Sequence, residues 1–187
     1  FYIDKTDFLR EWWENQDSVT LITRPRRFGK TLNMSMTEYF FSVKYAECRQ
    51  YFEDLNVWKS ESMRKIQGTY PVIALSFADI KATTYEAARR GIIRKIVRLY
   101  SAFDFIRNSD LLNEKDTAFF DSVEETMTDD AAAVAINYMS DYLSRYYGKK
   151  VIILLDEYDT PLQEAYVYGY WEELTAFIRS MFNSTFK

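Results

Sequence analysis

The sequence predicts an α/β domain of three layers, with a parallel sheet held between two sets of helices. Short β-branched or apolar runs alternate with long amphipathic segments. The connections between those runs exceed a dozen residues, as parallel crossovers require and hairpins do not. The run Val151-Ile152-Ile153-Leu154-Leu155 is apolar throughout, the pattern of a strand covered on both faces. Only three strands are legible, against roughly five or six in a typical sheet. The sheet therefore reads as cut off before its later strands. The start at Phe1 without Met and the helix-like end at Lys187 fit the same expectation of a domain incomplete at both ends.

The elements follow in order. Thr6 or Asp7 is placed to cap a first helix, with Phe8, Leu9, Trp12 and Trp13 on one face. Ser18 to Thr23 is a short β-branched run and reads as the first strand. After a turn rich in Pro and Arg, Lys30 to Phe41 reads as a helix with Leu32, Met36 and Phe40 on one stripe. Residues 45–68 read as one or two short helices with loops. Val72 to Phe77 is a second buried strand. From Thr84 or Glu86 to Tyr100 an amphipathic helix carries Ala88, Ile92, Ile96 and Leu99 on one side. Residues 110–130 are polar and helical in part. Ala131 to Tyr147 is a helix closed by Gly148, a residue suited to the left-handed C-cap. Val151 to Leu155 is the third strand. Thr160-Pro161-Leu162-Gln163 has the form of a capping box with Pro at the first helical position, opening a last helix to about Phe182.

Composition removes several kinds of chemistry. There is no His among the 187 residues, which excludes Ser-His-Asp catalysis, His acid–base catalysis and most zinc sites. Cys48 is the only Cys, so no intrachain disulfide can form, and a reducing cytoplasmic setting fits. The net charge of −4 speaks against a general nucleic-acid or membrane-surface binder. No run approaches the ~18 apolar residues of a membrane span.

Two motifs carry chemistry. Arg24-Pro25-Arg26-Arg27-Phe28-Gly29-Lys30-Thr31 lies between a predicted strand and a predicted helix. It keeps the Gly-Lys-Thr half of the P-loop pattern, with Arg24 in place of the first Gly. The expected ATP-binding residues are Arg26, Arg27, Phe28, Gly29, Lys30, Thr31 and Leu32. Backbone N–H groups at the helix start would wrap the phosphates, and Gly29 would let the backbone come close. Lys30 would put a point charge on the β- and γ-phosphates, and Thr31 would offer its hydroxyl to Mg²⁺. Arg26 and Arg27 read equally well as a solvated basic turn. The second motif, Val151 to Leu155 followed by Asp156 and Glu157, ends an apolar strand in two carboxylates. Asp156 is expected near the metal and Glu157 as the group that polarises the attacking water. Asp156 stands 126 residues after Lys30. Each half-motif is weak alone. In this order, and each at the C-terminal end of a predicted strand, they point to a P-loop NTPase.

Tyr2-Ile3-Asp4-Lys5-Thr6, the Arg24–Thr31 segment, Tyr70-Pro71-Val72-Ile73 and Leu155-Asp156-Glu157-Tyr158-Asp159-Thr160-Pro161 together resemble the bacterial AAA-ATPase-like family. The resemblance covers nearly the whole chain, and Arg24 looks like this family's own version of the loop. It implies a P-loop ATPase domain over residues 1–187, acting as a nucleotide switch or motor. It further implies a C-terminal PD-(D/E)XK nuclease-like domain in the parent protein, contact with nucleic acid through that domain, and a strand bearing a polar sensor position just past Lys187. Sites of this kind are often completed from a neighbouring copy, so a homo-oligomer is among the expected partners.

Other residues have plainer readings. Asp159 is better placed to help cap the last helix than to assist Mg²⁺. Asp79-Ile80-Lys81 matches half of a nuclease motif but lacks a companion acid. Asn113-Glu114-Lys115-Asp116 has the wrong order for guanine recognition. Arg89, Arg90, Arg94, Lys95 and Arg98 form a basic band, read as the solvent side of a helix and not a nucleic-acid face. The aromatic residues, 18% of the chain, have no regular spacing and are read as core. Three rivals to the ATPase reading remain: a non-hydrolysing interaction module on the same fold, a nucleic-acid-binding domain using the Arg90 helix, and a small-molecule kinase.

Overall fold

A computed structural model of the chain describes residues 3–23 and 29–186. The fold is α/β and mostly helical, with a small parallel sheet of two strands among the described residues. The chain divides into two compact units. The first contains the residues up to Ala74 together with Ile152–Leu154, and the second contains Leu75–Val151 and the chain from Leu155 onward. Strand β1 (Val72–Ser76) and strand β2 (Ile152–Asp156) each begin in the first unit and finish in the second. Their ladder is parallel: the Ile152 N–H donates to the Pro71 carbonyl, and the Phe77 N–H donates to the Asp156 carbonyl, both at 3.0 Å.

The first unit holds α1 (Asp7–Asn15), α2 (Lys30–Phe41), two 3₁₀ segments (Val43–Tyr51 and Asn56–Lys59) and α3 (Glu61–Ile66). Its core is Leu9, Phe40, Phe41, Phe52, Val57 and Met63, closed by Val72 and by Ile152 and Leu154 from β2. Trp13 stacks on Phe41 at 5.3 Å between ring centroids and meets Tyr70 edge-on at 4.9 Å. Aromatic rings of this size bring large apolar surface and favour such offset and edge-on pairs. The C-terminal end of α2 is tied down by the Gly68 N–H to the Phe40 carbonyl and the Tyr70 N–H to the Phe41 carbonyl.

Thr6 does not cap α1 with its side chain. Its hydroxyl instead donates to Asp4 Oδ1 at 2.7 Å and accepts from the Val57 N–H at 3.0 Å. Asp4 also accepts the Thr6 and Asn56 N–H groups, at 2.9 and 2.7 Å. The amino-terminal segment is thereby clamped to the second 3₁₀ segment.

The second unit is helical: α4 (Tyr85–Ala102), α5 (Asp104–Arg107), α6 (Glu114–Asp121), α7 (Asp129–Tyr147), α8 (Thr160–Tyr168) and α9 (Trp171–Thr185). Helix α7 packs along α9, and α4 packs on both. These helices bury Ile92, Ile96 and Tyr100 of α4, Ile136, Met139 and Leu143 of α7, and Leu174, Phe177 and Met181 of α9. Thr84 and Thr128 cap α4 and α7 by accepting the Ala87 and Ala131 N–H groups. Gly148 closes α7 in the left-handed conformation at φ 63°.

Four sequence expectations are corrected. Ser18–Thr23 is described but forms no strand, and Val19 and Leu21 are exposed. A β-branched run becomes a strand only where its N–H and C=O groups meet a ladder partner, and the sheet here contains β1 and β2 alone among the described residues. In α2 the buried residues are Thr37, Phe40 and Phe41, while Leu32 is exposed and Met36 half-buried. The side chains packed on the core come from the C-terminal end of that helix and not from one long stripe. The single helix expected over 160–182 is two, because Gly169 takes φ 82° and its N–H bonds back to the Ala165 carbonyl. Tyr170 is then buried, with its hydroxyl donating to the Ala82 carbonyl at 2.6 Å. In β2 only Ile152 and Leu154 are buried, with Ile153 and Leu155 half-buried.

Candidate nucleotide site

The candidate residues fall into two groups, one in each unit. In the first unit Gly29 precedes α2 in the left-handed conformation, φ 78°, a geometry that costs a residue with a Cβ about 1 kcal/mol or more. Its carbonyl accepts the Asn33 N–H at 2.9 Å and starts the helical ladder. Lys30, Thr31 and Leu32 form the first turn. Lys30 is half-buried, and Thr31 and Leu32 are exposed. Among the described residues no side chain caps this helix, and its first turn carries no acid. Lys30 at the first helical position opposes the helix dipole, an arrangement that an anion at that end relieves. Among the described residues a Cβ on Gly29 would meet only Lys5 Nζ, at 3.9 Å, so a second ammonium group lies beside this turn. Arg26, Arg27 and Phe28 lie outside the described residues.

In the second unit β2 ends at Asp156, whose carbonyl is fixed by the Phe77 N–H. Asp156 and Glu157 are both half-buried. Glu157 turns the chain with φ 53°, one of two non-glycine residues with positive φ among those described. That conformation costs a residue with a side chain of this kind ~1–2 kcal/mol. The turn is closed by the Thr160 N–H donating to the Glu157 carbonyl at 3.0 Å. The Thr160 hydroxyl donates to Glu157 Oε2, also at 3.0 Å. Sequence reasoning did not foresee this contact, although a Thr three residues after the acid is its signal.

Asp159, not Thr160, takes the position flanking α8. Its carbonyl accepts the Gln163 N–H at 2.9 Å, and its carboxylate accepts Gln163 Nε2 at 2.8 Å.

The remaining polar motifs have structural partners. Asn113 caps α6 by accepting the Lys115 and Asp116 N–H groups. Asp79 pairs with Lys95 at 2.7 Å, and that hydrogen bond holds its carboxyl below the usual aspartate range despite partial burial. In the basic band Arg89 pairs with Asp129, Arg94 with Glu125 and Lys95 with Asp79. Among the described residues no three acidic or Cys side chains cluster to hold a metal. No helix is long and apolar enough to cross a membrane, among the residues described.

The family model described as predicted AAA-ATPase matches residues 1–187. The chain belongs to the AAA-ATPase-like family. No curated protein and no solved structure shows a significant match. Membership makes an ATP-related function plausible for this AAA-ATPase-like chain.

Proposed function

We propose that this AAA-ATPase-like chain is a P-loop ATPase domain that binds Mg-ATP on the turn opening α2 and hydrolyses it. The observation that carries the reading is the start of α2. A left-handed Gly29, an uncapped helix N-terminus and Lys30 on its first turn form one anion-receiving arrangement. Three elements of chemistry follow. The N–H groups of Lys30, Thr31 and Leu32 donate to phosphate oxygens, and Lys30 adds a full charge where negative charge builds up. Hard oxygen donors suit Mg²⁺, which keeps most of its waters and takes few protein ligands. Thr31 and Asp156 are the residues we assign to it, and when bound it neutralises charge on the phosphate oxygens. Glu157 accepts a proton from the water that attacks the γ-phosphorus as the bond to ADP breaks. Arg26, Arg27 and Phe28 complete the phosphate-binding loop in this reading.

The biological use we assign is a nucleotide switch or motor for an attached effector, a C-terminal nuclease-like domain through which nucleic acid is met. Function in the cytoplasm, and a homo-oligomer supplying the remaining charge, belong to the same reading. The ion pairs of Arg89, Arg94 and Lys95 favour it over a nucleic-acid face on α4.

Calorimetric titration of Mg-ATP into the full-length protein tests the site, with Lys30→Ala as the control. Binding that vanishes in Lys30→Ala supports it. Binding of equal strength in both places the nucleotide elsewhere.

A further inference from the structure

We propose that Thr160 is a positioning residue for Glu157, holding the carboxylate in the orientation from which it takes the water's proton. This rests on the ATPase reading above.

A Thr that opens a helix ordinarily turns its hydroxyl toward an N–H of the first turn. Thr160 does not. It lies inside α8, and its hydroxyl reaches back three residues to Glu157 Oε2 at 3.0 Å. Its own N–H donates to the Glu157 carbonyl at the same distance, so one residue holds both the backbone and the side chain of Glu157. Thr160 is 7% exposed, one of the few buried polar residues described, and water competes little for its hydroxyl.

A hydroxyl has one proton to give. Given to Oε2, it makes that oxygen an acceptor within the protein and leaves Oε1 to meet the water. A free Glu side chain carries up to ~2 kcal/mol of rotamer entropy, which would otherwise be lost as the transition state forms. Here that cost is met on folding. The left-handed backbone at Glu157 serves the same end, because it turns the residue out of the strand direction at the point where Thr160 can reach it.

The test is steady-state ATP hydrolysis by the full-length protein and its Thr160→Val, Thr160→Ser and Glu157→Gln variants, with Mg-ATP affinity and Tm measured on each. Val keeps the volume and removes the donor. Thr160→Val is expected to lower kcat on the order of tenfold to a hundredfold. Its KM and ATP affinity should stay within about twofold, since Thr160 acts only through the base. Thr160→Ser should recover most of kcat. In the Glu157→Gln background, Thr160→Val should change the residual rate little, because the group it positions is already gone.

Parental kcat in a folded Thr160→Val, beside an inactive Glu157→Gln, overturns the role of Thr160 and leaves the ATPase reading standing. Parental turnover in Glu157→Gln, or none in the parent, overturns both. Equal losses of kcat and Tm in Thr160→Val and Thr160→Ser make the residue structural and overturn the proposal.

Discussion

The Asp4 carboxylate accepts the backbone N–H of Asn56, 52 residues further along the chain, at 2.7 Å. The same carboxylate accepts the N–H and the hydroxyl of Thr6, and the Thr6 hydroxyl in turn accepts the Val57 N–H. Asp4 and Thr6 thus join the amino-terminal segment to the second 3₁₀ segment of the first unit. Removal of the carboxylate in Asp4→Ala leaves the Asn56 N–H without this acceptor. Hydrogen bonds to charged groups contribute ~1.5–3 kcal/mol each, and these share one carboxylate, so a loss of about 2 kcal/mol is expected in urea unfolding.

The clamp also sets a pH dependence. Burial raises the Asp4 carboxyl, but the N–H groups of Thr6 and Asn56 outweigh it and hold it below the ordinary value of 3.8. Unfolded chain therefore binds a proton before folded chain does, and stability rises with pH through this window. The contribution is complete above the ordinary value and fades as pH falls through the depressed one. Asp79 and Asp121, hydrogen-bonded to Lys95 and Arg107, act in the same sense. Melting curves between pH 5 and about pH 2.5 should show a smaller fall for Asp4→Asn than for the parent.

Glu157→Gly separates stability from function. Gly adopts positive φ freely, so the fold should keep its Tm or gain a little, by up to ~1 kcal/mol. Hydrolysis should vanish with the carboxylate. A Tm drop of several degrees would show that the side chain, through Thr160, stabilises the turn more than its backbone strains it.

At Gly29 the expected balance is the reverse. Among the described residues a Cβ there meets no atom closer than Lys5 Nζ, so Gly29→Ala is expected to cost the fold the left-handed backbone, about 1 kcal/mol. Its effect on Mg-ATP should be larger, at least about tenfold in Kd by calorimetry, because in the proposed site the backbone approaches the phosphates at this residue. A change in Tm without a change in Kd would take Gly29 out of the site.

The α7–α9 contact is a packing prediction. Met139 is fully buried. Met139→Ala should destabilise the protein by ~2–5 kcal/mol in chemical unfolding, through lost transfer free energy and the cavity left behind.

How much of this was legible in the sequence depends on what decides each element. Helices α4 and α7 were readable because a regular apolar period and Thr or Gly at their ends are local signals. The two paired strands were readable because runs of four or five apolar residues bounded by polar or Pro residues have few other uses. Ser18–Thr23 has the same local signal, but strand formation is decided by a partner elsewhere in the chain, which composition does not reveal. The break at Gly169 was local and could have been read, since a Gly inside a helical pattern carries a cost. The second 3₁₀ segment and the Asp4 clamp depend on contacts across some 50 residues and leave no period. At the candidate site the residue types were legible. The orientation was not: that Thr160 bonds Glu157 and not its own helix follows from the turn geometry alone.

The first unit is discontinuous in sequence, and this bears on how the protein is made. Its core needs Ile152 and Leu154, which emerge from the ribosome about 80 residues after Ala74. At ~5–20 residues per second the nascent chain waits roughly 4–16 s with the core around Phe40, Phe41 and Phe52 lacking its last members. For that interval three aromatic side chains that end up buried are open to chaperones. Completion of the first unit is coupled to synthesis of most of the second.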